Sequence, residues 1–269
     1  MKTIIIPTDF SKNALKAFDF ASDFFTGSDY QYLICTTYTI PSGGTSSLFS
    51  LLEQLRLQAE EEMNQFMELI KKDYPLIYQS SKSFVLQGWF TGQVNALAQE
   101  EMADFVIMGT KGASGMKEVL LGSHAADLIN DLSIPVFAIP FEYEKSKLKS
   151  ILFSYDGNSL TDKTVSFING LSKGFDLPIN LFHVRRKADA PIQNWGAIED
   201  QFNNRHISLY EAFADTYEEG LKSKIADLNA ILVLVSRKKS FWDRLMKRGQ
   251  SKKAIMHLHM PMLVLPEKG

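Results

Sequence analysis

The chain has 269 residues, 45% hydrophobic and 22% charged, and a formal charge of −2 from 29 basic and 31 acidic side chains. That length suits one large or two medium globular domains, and the near-neutral balance excludes a general nucleic-acid-binding surface. A single cysteine excludes an intramolecular disulfide framework and a multi-cysteine metal cage, and no apolar run reaches the ~18 residues of a membrane span.

In chain order, MKTIIIPTDFS opens with an apolar stretch too short for a secretory leader, so a cytoplasmic protein with no membrane partner is expected. Thr3 to Pro7 reads as a buried parallel strand. Ser11 is placed to N-cap a helix over KNALKAFDFASDFF, where Ala14, Phe18, Ala21 and Phe25 recur at helical spacing. Tyr32 to Tyr38 is a second strand holding Cys35, whose apolar neighbours suit a buried inert thiol. Leu51 to Lys72 is a long acidic helix whose Glu60-Glu61-Glu62 run suits a solvated face. Ser83 to Leu86, Thr91 to Met102 and Phe105 to Met108 follow as strand, helix and strand. A helix N-capped by Ser123 runs to about Asp131, and Val136 to Ile139 closes the half as a fifth strand. Strands alternating with helices imply an α/β parallel sheet with right-handed crossovers, whose ligands bind beyond the carboxyl ends of the strands.

The second half echoes the first. LKSILFSYDGNSLTDKTVSFIN repeats the opening, with Asp156 matching Asp9 and Asn158 matching Ser11. INLFHVRRKADAP, LNAILVLVSR and HMPMLVLP repeat YLICTTYTIP, ADFVIMGT and SIPVFAIP in the same order. Two homologous domains are expected, 1–142 and 148–269, joined around the charged segment Phe141 to Ser150.

After the fourth strand comes GTKGASGMKEVLLGS, from Gly109 to Ser123. So much glycine answers a turn, a crowded packing site or a cradle for phosphates. With IIIPTDFS and SIPVFAIP, this segment makes the chain resemble a tandem universal stress protein over nearly its whole length. The G-x2-G-x9-G-[ST] pattern of that family's nucleotide-binding members is met by Gly109, Gly112, Gly122 and Ser123 without a gap.

The resemblance implies two Rossmann-like domains, each a five-stranded, mostly parallel sheet with helices on both faces, paired as a pseudo-dimer through their last strands. A further homodimer stays open. It implies ATP, with or without Mg, as ligand, with Asp9 beside the adenosine and Thr37, or Tyr38 if the alignment slips, against adenine. Bare backbone at Gly109 and Gly112 lets N–H groups approach an anion, and Gly122-Ser123 opens a helix whose first N–H groups are unpaired. Lys111 and Lys117 suit solvated charges better than ligands, and His257-His259 lacks a third metal ligand. There is neither a P-loop Gly-Lys-[Ser/Thr] nor a GxGxxG fingerprint.

Aligned on the same loop, the second half puts Ser236 and Lys239 at the places of Gly109 and Gly112. It keeps Gly249 for Gly122 and has Gln250 for Ser123, with Phe241 and Trp242 adding bulk and Arg237-Lys238-Lys239 adding charge. That half reads as degenerate for nucleotide. The leading function is a stress-responsive ATP-binding module acting through unknown protein partners. The rivals are a slow ATPase or phosphate-transfer enzyme at the same site, and a scaffold without nucleotide. Asp9 is the one obvious carboxylate near the loop, which weakens the enzyme reading.

Overall fold

The computed structural model describes residues 1–39, 48–110, 122–155, 157, 160–185, 195–202, 207–215, 219–221, 229–236 and 260–266. The chain divides into two compact units, Met1–Phe141 and Glu142–Gly269.

The first unit runs β1 (Lys2–Pro7), α1 (Leu15–Phe24), β2 (Tyr30–Tyr38), α2 (Leu48–Asp73), α3 (Pro75–Gln79), β3 (Ser81–Gln87), α4 (Phe90–Glu100), β4 (Phe105–Gly109), α5 (Ser123–Asp131) and β5 (Val136–Ile139). Its strands lie in the order β3-β2-β1-β4-β5, and every pairing is parallel. Ile4, Ile5 and Ile6 are all fully buried, so consecutive side chains on opposite sides of β1 are both covered. Right-handed crossovers carry α1 and α2 on one face and return α4 and α5 on the other.

The α1 stripe of Ala17, Phe18, Phe20 and Ala21 is buried, and Phe18 meets Phe66 of α2 edge-on at 5.5 Å. Phe20 meets Phe137 of β5 at 5.3 Å. Each such ring, fully buried, contributes about 1.5–3 kcal/mol. α4 and α5 bury Val94, Leu97 and Ala98, and Ala125, Leu128 and Ile129.

Both expected helix caps shift, the first by three residues and the second by one. Ser11 does not N-cap α1, which starts at Leu15 behind Ala14. The Ser11 hydroxyl instead accepts the Ala14 N–H at 3.2 Å, capping the turn that leads into the helix. Ser123 is not the N-cap of α5 either. Gly122, extended at φ −57° and ψ 153°, takes that place, and its carbonyl accepts the Ala126 N–H at 3.0 Å. Ser123 is therefore the first residue inside the helix, and the cap position itself, a glycine, offers no side-chain capping bond.

The second unit runs β6 (Ser150–Ser154), α6 (Asp162–Phe175), β7 (Ile179–Arg185), α7 (Trp195–Glu199), β8 (Ile207–Phe213), β9 (Ala230–Ser236) and β10 (Met262–Pro266). Its strand order is β10-β9-β6-β7-β8, again parallel at each pairing. The Thr161 hydroxyl caps α6 by accepting the Thr164 N–H at 3.3 Å, and Asp176 closes the helix in the left-handed region at φ 53°. Ile151, Leu152 and Phe153 are fully buried, as Ile4 to Ile6 are. No helix among the described residues is long and apolar enough to cross a membrane.

A cavity at the strand switch of the first unit

Strand order reverses between β1 and β4, where Ile4 pairs with Phe105 and Ile5 with Val106. Beyond the carboxyl ends of these strands the chain leaves in divergent directions, which opens a crevice by topology alone. There lies a cavity of about 420 Å³, within the roughly 300–1,000 Å³ of small-molecule pockets. Its wall takes Pro7, Thr8 and Asp9 from the end of β1, Thr36 and Thr37 from β2, and Met108, Gly109 and Thr110 from β4. Phe90 opens α4, Ala14 precedes α1, and Gly122 to Ala125 bring the first turn of α5.

The β1–α1 turn is tightly specified. Thr8 is buried, and its N–H donates to the Cys35 carbonyl at 2.8 Å. Its hydroxyl accepts the Phe10 N–H at 2.9 Å, and the Asp9 carboxylate accepts the Ser11 N–H at 3.1 Å. Phe10 sits at φ 62°, a left-handed conformation that a bulky residue rarely adopts. Its ring meets Phe66 of α2 edge-on at 5.5 Å, which anchors the turn. Backbone held this way next to a cavity is a feature of ligand sites.

The β4–α5 segment is tied at both ends. The Thr110 N–H donates to the Ile139 carbonyl at 2.9 Å, and the Gly122 N–H donates to the Thr110 carbonyl at 2.7 Å. The N–H groups of Ser123, His124 and Ala125 precede the first intrahelical donor, Ala126, and line the cavity side of the helix start. The helix dipole adds partial positive charge there. Gly109 has a different reason to be glycine from the one its motif suggests. A Cβ there would stand 2.6 Å from the Asn13 carbonyl oxygen and 2.5 Å from Asn13 Nδ2. Of the three roles a glycine could have at Gly109, the crowded packing site is the one the geometry displays.

Of the residues read from the sequence, Asp9, Thr37, Gly109, Gly122 and Ser123 come together on this wall. Tyr38 is not on it. Gly112, Lys111 and Lys117 lie outside the described residues. Thr8, Ala14, Thr36, Phe90, Met108, Thr110, His124 and Ala125 also line it and were not foreseen. Register carries the threonines, since Pro7 pairs with Cys35 and so sets Thr8 beside Thr36. His124 and Phe90 stack at a centroid distance of 5.0 Å and 22° between planes, a contact no local pattern announces. Cys35, buried below the wall, has its thiol pKa pushed up to about 12 by desolvation.

In the second unit, hydrogen-bond register fixes which residues stand at the corresponding places. The Tyr155 N–H donates to the Phe182 carbonyl as Thr8 does to Cys35, so Tyr155 replaces Thr8 and Val184 replaces Thr37. The Leu232 N–H donates to the Pro261 carbonyl as Val106 does to Pro135, and Ile151 pairs with Ile231 as Ile4 does with Phe105. Val235, and not Ser236, therefore stands where Gly109 does. The apolar run AILVLV carries no mark of where the strand ends, which is why the ungapped reading slipped by one residue. Pro135 and Pro261 keep the same offset on the far side of the loop. Carried through without a gap, that offset sets Lys238, Arg248 and Gly249 opposite Gly112, Gly122 and Ser123. Val235 is buried. Gly220 lies so close over Val184 that a Cβ on it would stand 2.7 Å from Val184 Cγ2. Asp156, Lys239, Phe241, Trp242, Gly249, Gln250, His257 and His259 lie outside the described residues.

The sequence pattern of the universal stress protein family matches residues 1–140. Universal stress protein MJ0577 of Methanocaldococcus jannaschii is 27% identical over 152 residues, which cover 51% of this chain and 94% of that protein. Universal stress protein MJ0531 of the same organism is 26% identical over 144 residues, 51% of this chain and 81% of that one. Across its full length the chain shares its fold with a universal stress protein from Archaeoglobus fulgidus. The TM-score is 0.73 at 17% identity, with 98% of each chain covered. A functionally unknown protein from Pseudomonas aeruginosa, PA1789, aligns with a TM-score of 0.57 at 13% identity, covering 99% of this chain and 92% of its own.

Proposed function

The chain belongs to the universal stress protein family, and from that premise we propose that it is a cytoplasmic ATP-binding module of the stress response, with one nucleotide held by the first unit. The observation that carries this reading is the cavity at the strand switch, where Asp9 and Thr37 share one wall with Gly109, Gly122 and Ser123. The wall suits the two ends of a nucleotide. Pro7, Ala14, Met108 and Phe90 offer apolar surface for a base, and Asp9 offers an acceptor for ribose hydroxyls. The N–H groups at the start of α5, which have no intrahelical partner, and the Ser123 and Thr110 hydroxyls offer donors for phosphates. Bare backbone at Gly112 extends that cradle in the sequence motif.

Binding is favoured over turnover. Phosphoryl transfer needs a base, a metal-holding carboxylate and charge stabilisers on the terminal phosphate. Asp9 is the one carboxylate on the described wall, and it is assigned here to the ribose. The second unit does not hold ATP, because Lys238 brings a side chain to the place of Gly112, which the cradle needs bare, and Val235 and Val184 put apolar side chains where the first unit has Gly109 and Thr37.

Nucleotide co-purifying with the protein, identified by chromatography after denaturation, tests the reading together with ATP titration. Wild type is expected to bind ATP without appreciable turnover. Folded Gly112→Val is expected to lose at least tenfold in affinity, the equivalent of about 1.4 kcal/mol. Unchanged affinity in the folded variant would remove the site, and multiple turnovers that persist in it would place hydrolysis elsewhere.

A further inference from the structure

Two ionisable side chains stand on the described wall of the cavity, Asp9 and His124. They arrive from different elements, the β1–α1 turn and the second position of α5. The His124 ring lies face to face with Phe90, the first residue of α4, at 5.0 Å and 22°, and both residues line the cavity. Stacking holds an imidazole by its face and leaves its two nitrogens on the free edge.

Among the described residues the surroundings do not supply His124 with a fixed ionic partner. α4 brings no titratable side chain between Phe90 and Leu97. The end of β2 offers Thr36 and Thr37, and the end of β4 offers Met108, Gly109 and Thr110. Among the described residues the acidic groups nearby are Asp9 across the cavity and Asp127, one turn further along α5 and exposed; the segment before α5 adds Lys111, Lys117 and Glu118, which lie outside the described residues. No ion pair joins His124 to Asp9 or Asp127 among the described residues. An anion held by the first N–H groups of α5 would then be the nearest charge to the imidazole among the described groups.

We propose that His124 makes occupation of this cavity by a phosphate-bearing ligand proton-linked. The anion draws a proton from solvent onto the imidazole, and the imidazolium donates a charge-assisted hydrogen bond back to a phosphate oxygen. This inference rests on the ATP reading above and adds its regulation: the first unit holds nucleotide more tightly as the surroundings acidify. Linkage fixes the sign. A bound anion favours the charged imidazolium over the neutral ring, so affinity gains as pH falls. The gain levels off once the free protein is itself protonated.

The test is calorimetric titration of ATP and of adenosine into full-length wild type, His124→Gln and His124→Lys, in two buffers of different ionisation enthalpy. The protonation of ATP itself is common to all three proteins and cancels in the comparison. Wild type is expected to take up additional protons on binding ATP relative to His124→Gln, and none on binding adenosine. Between pH 8 and pH 6 its ATP affinity is expected to rise about tenfold relative to His124→Gln, the size of one charge-assisted hydrogen bond of about 1.4 kcal/mol. His124→Lys, charged throughout that range, is expected to bind with the proton uptake of His124→Gln. Thermal melts of each variant check that the fold is intact. ATP binding with equal proton uptake in wild type and His124→Gln would overturn the proton linkage and leave the nucleotide site standing. Failure of wild type to bind ATP at any pH would overturn both.

Discussion

A Cβ on Gly109 has nowhere to go. Its nearest neighbours would be the backbone oxygen and the side chain of Asn13, at 2.6 Å and 2.5 Å, and backbone cannot step aside as a flexible side chain can. Gly109→Ala is therefore expected to push the β1–α1 turn away from β4, at a cost of about 1–3 kcal/mol by analogy with overpacked cores. Because that turn carries Asp9, ATP affinity should fall with it. Denaturant melts and ATP titration of the same variant check the pair of effects. Stability unchanged with affinity lost would assign Gly109 to the ligand alone. A second residue makes a pH statement. Burial raises the Cys35 thiol pKa to about 12, so the folded thiol stays neutral while an unfolded one ionises from about 8.5 upward. The resulting contribution to stability is complete below that value and is lost as pH rises from there toward 12. At pH 8 a thiol reagent is expected to label Cys35 only after denaturation, and labelling of the native protein would contradict its burial.

At the level of elements, the two serine or threonine residues that open helices have opposite assignments. Thr161 caps α6 through its hydroxyl, so Thr161→Ala is expected to cost about 1 kcal/mol. Ser123 makes no cap in α5, so Ser123→Ala is expected to leave stability within about 0.5 kcal/mol while weakening ATP binding. Thermal melts of the two variants, with titration of the second, separate capping from ligation. The same contrast explains what the sequence could disclose. Strands such as β1 and β4 were legible because a parallel strand covered on both faces is an unbroken β-branched or apolar run. The cap of α5 was missed because Gly122 and Ser123 both favour helix starts, and only dihedral angles choose between them. α3 follows α2 after the single residue Tyr74; Pro75 at its start marks the break, but five residues are too few to show a helical period of their own. On the site, Asp9 and the glycines were legible through spacing. Thr36 and Thr8 become neighbours through strand register, and Phe90 and His124 through packing of α4 against α5, which are long-range facts absent from any window of sequence.

For the whole molecule, the repeat seen in the sequence corresponds to two compact units in a chain whose complete length matches the fold of a universal stress protein from Archaeoglobus fulgidus. Two units of like topology need not have like sites. The first presents Gly109 and Thr37 to a cavity, whereas the second has Val235 and Val184 at the corresponding places, with Gly220 seated directly over Val184. A valine at the strand end puts an apolar side chain where the first unit has the glycine packed on Asn13, and on the proposed function lysine charge at Lys238 does not replace pre-aligned N–H donors. On the proposed function the molecule is asymmetric in ligand although repeated in fold. The most direct measurement is the stoichiometry of ATP binding to the full chain by calorimetric titration. It should give about one ATP per chain, as one anion-binding helix start with an open cavity requires, and Asp9→Ala should weaken that binding. A stoichiometry near two, with the second event abolished by substitution of Asp156 or Gly249, would contradict it.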